Sequence, residues 1–213
     1  MTTFTEGQFD AVVVGAGHAG VESALALART GNKTAMLTLN LDSIAFMACN
    51  PSIGGTAKGQ IVPEIDAPGG QMGINADGAL LQIRMLNRGK GPAVHSLRVQ
   101  TDRRKYHSFM KNLLEHEPNL DLKQAEITAI ETEDGKITKV ITRLGAEYKV
   151  KACIVASGTY LNGMIHVGEV SYESGPDGML PANDLSAALL REGVSIMRFK
   201  TGTPARVKRE TID

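Results

Sequence analysis

Phe9-Asp10-Ala11-Val12-Val13-Val14-Gly15-Ala16-Gly17-His18-Ala19-Gly20-Val21-Glu22 decides the fold of this chain. A short apolar strand runs into G-x-G-x-x-G and then into an Ala/Leu-rich helix, Val21 to Thr30, that ends at Gly31. A second apolar strand, Lys33 to Leu39, follows. Each glycine has its own task in such a turn. Gly15 permits the tight exit from the strand, Gly17 leaves room for a pyrophosphate beside the backbone, and Gly20 lets the helix lie close to the strand. The helix N-terminus presents unpaired N–H groups and a positive dipole end to the phosphates. Gly15, Ala16, Gly17, His18, Ala19 and Gly20 are therefore candidate cofactor-binding residues. His18 is expected to point away from the pyrophosphate or to cap locally.

The nature of the dinucleotide depends on the end of the second strand, where a carboxylate usually holds the ribose. That region reads Leu37-Thr38-Leu39-Asn40-Leu41-Asp42. Asn40 occupies the expected position and its carboxamide can bond a ribose hydroxyl, while Asp42 follows two residues later. No arginine stands beside them, which argues against a 2′-phosphate and so against NADP. Glu22 either complements the dipole of its own helix or reaches the ribose.

Outward from this unit, which spans residues 9–40, the chain changes character. Residues 43–92 hold nine glycines and four prolines and read as long cofactor-serving loops. A helix is expected from Thr101 to His116, with Tyr106, Phe109, Met110, Leu113 and Leu114 as one buried stripe. From residue 127 to 150 the period becomes two, with turns at Asp134-Gly135 and Leu144-Gly145, which predicts a β-meander. Residues 152–159, Ala-Cys-Ile-Val-Ala-Ser-Gly-Thr, read as a buried parallel strand returning to the opening sheet. A helix over Asn183–Glu192 precedes a final segment containing Phe199-Lys200-Thr201-Gly202-Thr203-Pro204-Ala205-Arg206.

With 42% hydrophobic and 22% charged residues, the composition is that of a globular protein. The 23 basic and 23 acidic residues cancel, so overall charge does not point to nucleic acid. A basic set does stand out locally: Arg84, Arg88, Lys90, Arg98, Arg103, Arg104 and Lys105. It is either a phosphate-binding face or a solvated helix face with loop anchors. No apolar run is long enough to span a membrane, and no signal peptide is visible. The cytoplasm is the expected compartment. Two cysteines, Cys49 and Cys153, lie in unlike contexts and form no disulfide framework. Cys153 reads as core. Cys49, in a glycine-rich loop, is either a nucleophile or a small packed residue. Gly54 and Gly55, with Lys58 and Gly59 beyond, form either an anion nest against a phosphate or flavin or a flexible loop. The histidines and cysteines lack metal-ligand spacing, so no metal is expected.

The order of elements resembles the FAD domain of the glutathione-reductase-like flavoproteins, an α/β Rossmann architecture whose crossover is a β-meander. Six stretches are more specific: Val14 to Gly20, Cys49 to Gly55, Gly91 to Val94, Arg98 to Arg103, Gly158 to Gly163 and Lys200 to Arg206. Together they resemble the MnmG (GidA) family, in register from Phe9 to Asp213. The resemblance implies a tRNA-modifying flavoenzyme that works as a homodimer with the GTPase MnmE. It adds a carboxymethylaminomethyl or aminomethyl group to C5 of the wobble uridine of certain tRNAs. FAD is the implied cofactor, with NADH as reductant and methylenetetrahydrofolate as one-carbon donor. Glu126 and Gly158 join the candidate cofactor contacts. Cys49 becomes a candidate nucleophile toward C6 of uracil, Lys200 a candidate electrostatic group, and Arg98, Arg103 and Arg104 candidate tRNA contacts. Family members are much longer, and their NADH-binding insertion and C-terminal helical domain have no counterpart here. The expectation is an incomplete FAD-binding domain over residues 1–213, inactive alone. Gly175 to Pro181 departs from the family's usual run, which puts contacts from that loop in doubt. A related folate- and FAD-dependent tRNA uridine methyltransferase (TrmFO-like), or a non-catalytic FAD-binding module, are the alternatives.

Overall fold

Strict alternation in Val12-Val13-Val14 gives the first strand of the dinucleotide unit two buried faces, and the architecture follows from covering both. The computed structural model describes residues 2–48, 50–200, 202 and 207–212. A polar strand β1 (Phe4–Gln8) precedes β2 (Ala11–Val14), α1 (His18–Arg29) and β3 (Thr34–Thr38). The stretch 43–92 then builds β4 (Ser52–Gly54), α2 (Ile61–Asp66), α3 (Met72–Gly78) and β5 (Leu80–Leu86), and β6 (Ser96–Thr101) follows. Next come α4 (Arg103–His116), β7 (Leu120–Gln124), β8 (Ile127–Glu133), β9 (Lys136–Thr142), β10 (Ala146–Lys149) and β11 (Ala152–Val155). A hairpin of β12 (Met164–Val167) and β13 (Val170–Glu173) leads to α5 (Asn183–Arg191).

The central sheet is parallel throughout, in the order β11-β2-β3-β7. Helix α1 buries Val21, Ala24, Leu25 and Ala28, a single stripe at helical spacing, and Gly31 ends it at φ +87°. That stripe joins Val13 and Met36 of the sheet and Tyr106, Met110 and Leu114 of α4 in one core. On the other face Val12, Val14, Ala35 and Leu37 meet Val140 and Tyr148 of the meander and Leu185 and Leu189 of α5. Asp102 caps α4 by accepting from the N–H groups of Arg104 and Lys105 at 2.9 and 3.0 Å. The buried stripe of α4 is narrower than expected. Phe109 stays 41% exposed because its ring lies over the backbone of Gly78 at the rim of the core.

Two further expectations need correction, and one strand carried no sequence signal. Residues 43–92 are not simply loops: β4, β6 and β5 form an antiparallel sheet in that order, and Ile53 and Val99 carry it into the α1/α4 core. The returning strand β11 does pair in parallel with β2, yet it is not buried. Among the described residues it has a strand on one side only, so Ala152 is exposed and Cys153 half-buried. Nothing in the periodicity marked β1. Its strand geometry comes from backbone pairing with β10, as the fourth member of the sheet β1-β10-β9-β8. The β8–β9 turn places Asp134 and Gly135 at φ +50° and +72°, which matches the right-handed twist of the flanking strands.

Candidate dinucleotide site

The chain turns out of β2 at Gly15, whose φ is +106°. A Cβ there would stand 2.4 Å from the carbonyl oxygen of Ala156. At Gly20 a Cβ would meet the carbonyl oxygen of Gly15 at 1.9 Å, so α1 could not rest on the strand with any side chain at that position. Gly17 differs from both. A Cβ at Gly17 would meet nothing within 4 Å, and its φ of −71° is open to any residue. Packing therefore explains two glycines of the motif, while the third borders open space. The first N–H of α1 to close onto a backbone carbonyl is that of Val21, which donates to Gly17 O at 2.9 Å. The donors of His18, Ala19 and Gly20 ahead of it take no backbone acceptor among the described residues.

That open space is a cleft of about 260 Å³ at the C-terminal ends of β2, β3 and β11. In an open parallel sheet this is where ligands bind. Gly15, Ala16 and Gly17 form one wall, Phe46 and Thr38 another, and Gly158 with Tyr160 the third. A second hollow of about 530 Å³ continues from it, and Leu39, Ala125 and Glu126 line both. Asn40 lines the second hollow.

Several candidates serve other purposes. The carboxamide oxygen of Asn40 accepts from the N–H of Asp42 at 2.8 Å and so caps a short 3-10 turn. Asp42 is paired with Lys111 at 2.9 Å, and that hydrogen bond holds its carboxyl below the usual range. Neither carries the free carboxylate expected for a ribose. Glu22 neither faces its own helix dipole nor enters the cleft. It accepts from the N–H groups of Gln71 and Met72 and so fixes the start of α3. The carboxylate of Glu126 is taken by Arg143, which also reaches Asp184 at 3.1 Å. Glu126 still lines the cleft.

Gly54 and Gly55 do not line the cleft. Their positive φ values and close approach to Leu97 serve the β4–β6 pairing: a Cβ on Gly54 would be 2.2 Å from Leu97 O, and Gly55 N–H donates to the same oxygen at 2.7 Å. His18 packs against Tyr106 with ring centroids 5.7 Å apart. Among the described residues its Nε2 and the Tyr106 hydroxyl are buried without a partner. Burial lowers the His18 pKa below 6.5, and the charge of Lys58 lowers it further. Of the basic candidates, Arg103 stacks over Phe46 at 5.1 Å, beside the cleft. Arg98 lies on β6, and Arg104 is exposed on the first turn of α4. Lys200 is exposed and apart from the cleft lining. Cys49 and the positions Thr201 and Thr203 to Arg206 lie outside the described residues. Desolvation raises the Cys153 thiol to about 11. Among the described residues no group of His, Cys, Asp and Glu is placed to hold a metal, and no helix is long and apolar enough to cross a membrane.

A cleft at the carboxyl ends of a parallel sheet, entered past a glycine turn and flanked by a β-meander crossover, places the chain in the FAD-type Rossmann fold class. The family model described as "Glucose inhibited division protein A" matches residues 10–213, and the chain belongs to that GidA family. It is 58% identical over 210 residues to the tRNA uridine 5-carboxymethylaminomethyl modification enzyme MnmG of Alkaliphilus metalliredigens. The match covers 99% of this chain and 33% of that one, so the chain spans about a third of the curated relatives it matches. The structure of Aquifex aeolicus GidA superposes with a TM-score of 0.89 at 48% identity, over 97% of this chain and 34% of that one. The GidA-related protein of Thermus thermophilus shares the fold, with a TM-score of 0.63 at 23% identity over 86% of this chain and 68% of its own.

Proposed function

We propose that this chain is the FAD-binding part of an MnmG-type enzyme that modifies C5 of the wobble uridine of tRNA. The observation that carries the proposal is Gly17: of the three motif glycines it alone would have a Cβ with no atom within 4 Å, and it lines a cleft large enough to begin a dinucleotide site. The identity with MnmG relatives supplies the chemistry. In this reading the N–H groups of His18, Ala19 and Gly20 bind the pyrophosphate, aided by the α1 dipole. Gly158 and the backbone at Glu126 border the adenosine half, and the apolar walls exclude water. Bound FAD would supply the redox chemistry by which a one-carbon unit is delivered to uracil.

Under the same proposal NADH is the reductant and methylenetetrahydrofolate the carbon donor. The GTPase MnmE and a second copy of the chain are the partners, in the cytoplasm. Cys49 keeps its candidate role: its thiolate would add to C6 of uracil and make C5 nucleophilic. Lys200 keeps its role as a cation near the reacting groups, and Arg98, Arg103 and Arg104 as tRNA contacts. The test is reconstitution with FAD, followed by dialysis and absorbance. Stoichiometric flavin is expected, and a colourless protein at saturating FAD would refute the proposal. In a full-length relative carrying the same substitution, Cys49→Ser should retain flavin yet yield tRNA without the modified nucleoside.

A further inference from the structure

In the antiparallel pairing of β5 with β6, Arg84 stands directly opposite Arg98, and Gln82 directly opposite Gln100. Directly paired residues share a face of the sheet. On the far side of β6 the same two rows continue into β4, with Ser52 opposite Gln100 and Gly54 opposite Arg98. The polar face of this small sheet is therefore a tile of two rows, Ser52-Gln100-Gln82 and Gly54-Arg98-Arg84. The intervening residues Leu97 and Val99 belong to the other face.

Two like charges in direct register repel, and sheets ordinarily avoid the arrangement. Among the described residues neither Arg84 nor Arg98 has a carboxylate partner. Gly54 adds no side chain beside Arg98. The Arg98 stem lies along Gly55, whose Cβ would stand 3.9 Å from Arg98 Cδ, and Arg84 is exposed. The two forks are thus carried by a rigid strand pair rather than by a flexible loop.

We propose that Arg84 and Arg98 form a clamp for one or two phosphodiester groups of an RNA strand. Gln82, Gln100 and Ser52 lie alongside to bond its sugar edge. Guanidinium forks match phosphate oxygens in a bidentate manner, and an anion between them removes the repulsion that the bare pair carries. This deepens the reading of the chain as part of a tRNA enzyme and rests on it.

The test uses the 213-residue protein and a fluorescent anticodon stem-loop RNA, with binding read by anisotropy across a series of KCl concentrations. Losing two phosphate contacts should lower the slope of log K against log salt by about 1.4–1.8. The doubly substituted protein, Arg84→Gln with Arg98→Gln, should bind at least about tenfold more weakly at low salt. Each single variant should show about half the change in slope. Arg191→Gln on α5 should leave binding as it was. Thermal melting of the double variant should stay level or rise, because a repulsive pair has been removed. An unchanged slope and affinity would overturn the clamp, as would a lowered melting temperature, which would mark both arginines as structural. Absence of RNA binding by the parent protein would overturn it too. Flavin content, measured in the same samples, reports separately on the FAD reading.

Discussion

Replacing Gly17 with valine separates ligand from fold. The backbone at Gly17 has φ −71° and ψ 179°, extended geometry that a β-branched residue adopts freely. A Cβ there meets nothing within 4 Å. Gly17 is the N-cap of α1, where valine is poorer than glycine, so the folded protein should lose about 1 kcal/mol. For a chain of this size that is a melting shift of about 2–4 °C. The branched side chain would instead occupy the approach to the free N–H groups of α1. Hydrogen bonds from backbone N–H to a charged group contribute about 1.5–3 kcal/mol each. Losing two of them removes about 3 kcal/mol or more, over a hundredfold in affinity. Equilibrium titration with FAD, followed by flavin fluorescence, measures the loss, and circular dichroism confirms the fold. Flavin bound with parental affinity by Gly17→Val would refute the assignment of this cleft.

Gly20→Ala should behave in the opposite way. Its methyl would collide with the Gly15 carbonyl, costing about 1–3 kcal/mol through displacement of α1 and lowering the melting temperature by about 2–12 °C; an unaltered melt would mean that α1 does not rest on this turn. The depressed His18 pKa gives a pH dependence. The unfolded chain takes up the proton first, so stability falls as pH drops below 6.5. Urea midpoints should decline between pH 7 and 5 in the parent but not in His18→Phe; parallel declines would assign the effect elsewhere. Asp10 and Asp42, held down by Lys151 and Lys111, lose their contributions only once pH falls below about 4, outside that window. Finally, the Cys153 thiol at about 11 should alkylate far more slowly near neutral pH in the folded protein than in urea. Mass spectrometry of a Cys49→Ser background reads this directly, and equal rates in the two conditions would contradict it.

The parts of the fold legible in the sequence were those with a period. The run Val12 to Val14, the stripe Val21, Ala24, Leu25 and Ala28, and the alternation across β8 to β10 each state which side is buried. β1 carried no such signal, because Phe4-Thr5-Glu6-Gly7-Gln8 becomes a strand only through backbone bonds to β10. Composition misled in part at residues 43–92: Gly54 marks a close approach to Leu97 between paired strands, while Gly69, Gly89 and Gly91 do stand in open turns and loops. Within the site, sequence located the motif glycines but not the owners of the nearby carboxylates. Glu22, Asp42 and Glu126 sit at plausible distances along the chain. Gln71 and Lys111, which pair with Glu22 and Asp42, come from remote segments that no local pattern announces, whereas Arg143 faces Glu126 across the hairpin that the Asp134-Gly135 turn implies. The unpartnered contact between His18 and Tyr106 likewise joins positions far apart in the chain. Its only trace in sequence is a histidine inside a phosphate-type loop.

The pairing of β2 with β11 joins Ala11 to Ala152, a separation of 141 residues (152 − 11). A ribosome adding about 5–20 residues per second needs on the order of 10 s to cover that interval. Throughout that time β2 has emerged with one hydrogen-bonding edge bare, and non-local parallel pairings close slowly in any case. Nascent chains that still hold β11 (Ala152–Val155) inside the ribosome and chains from which it has emerged should therefore differ sharply in protease sensitivity at β2. In the described central sheet the latest-made strand, β11, lies beside the earliest, β2, so the edge of β2 should stay open to other binders until β11 has emerged.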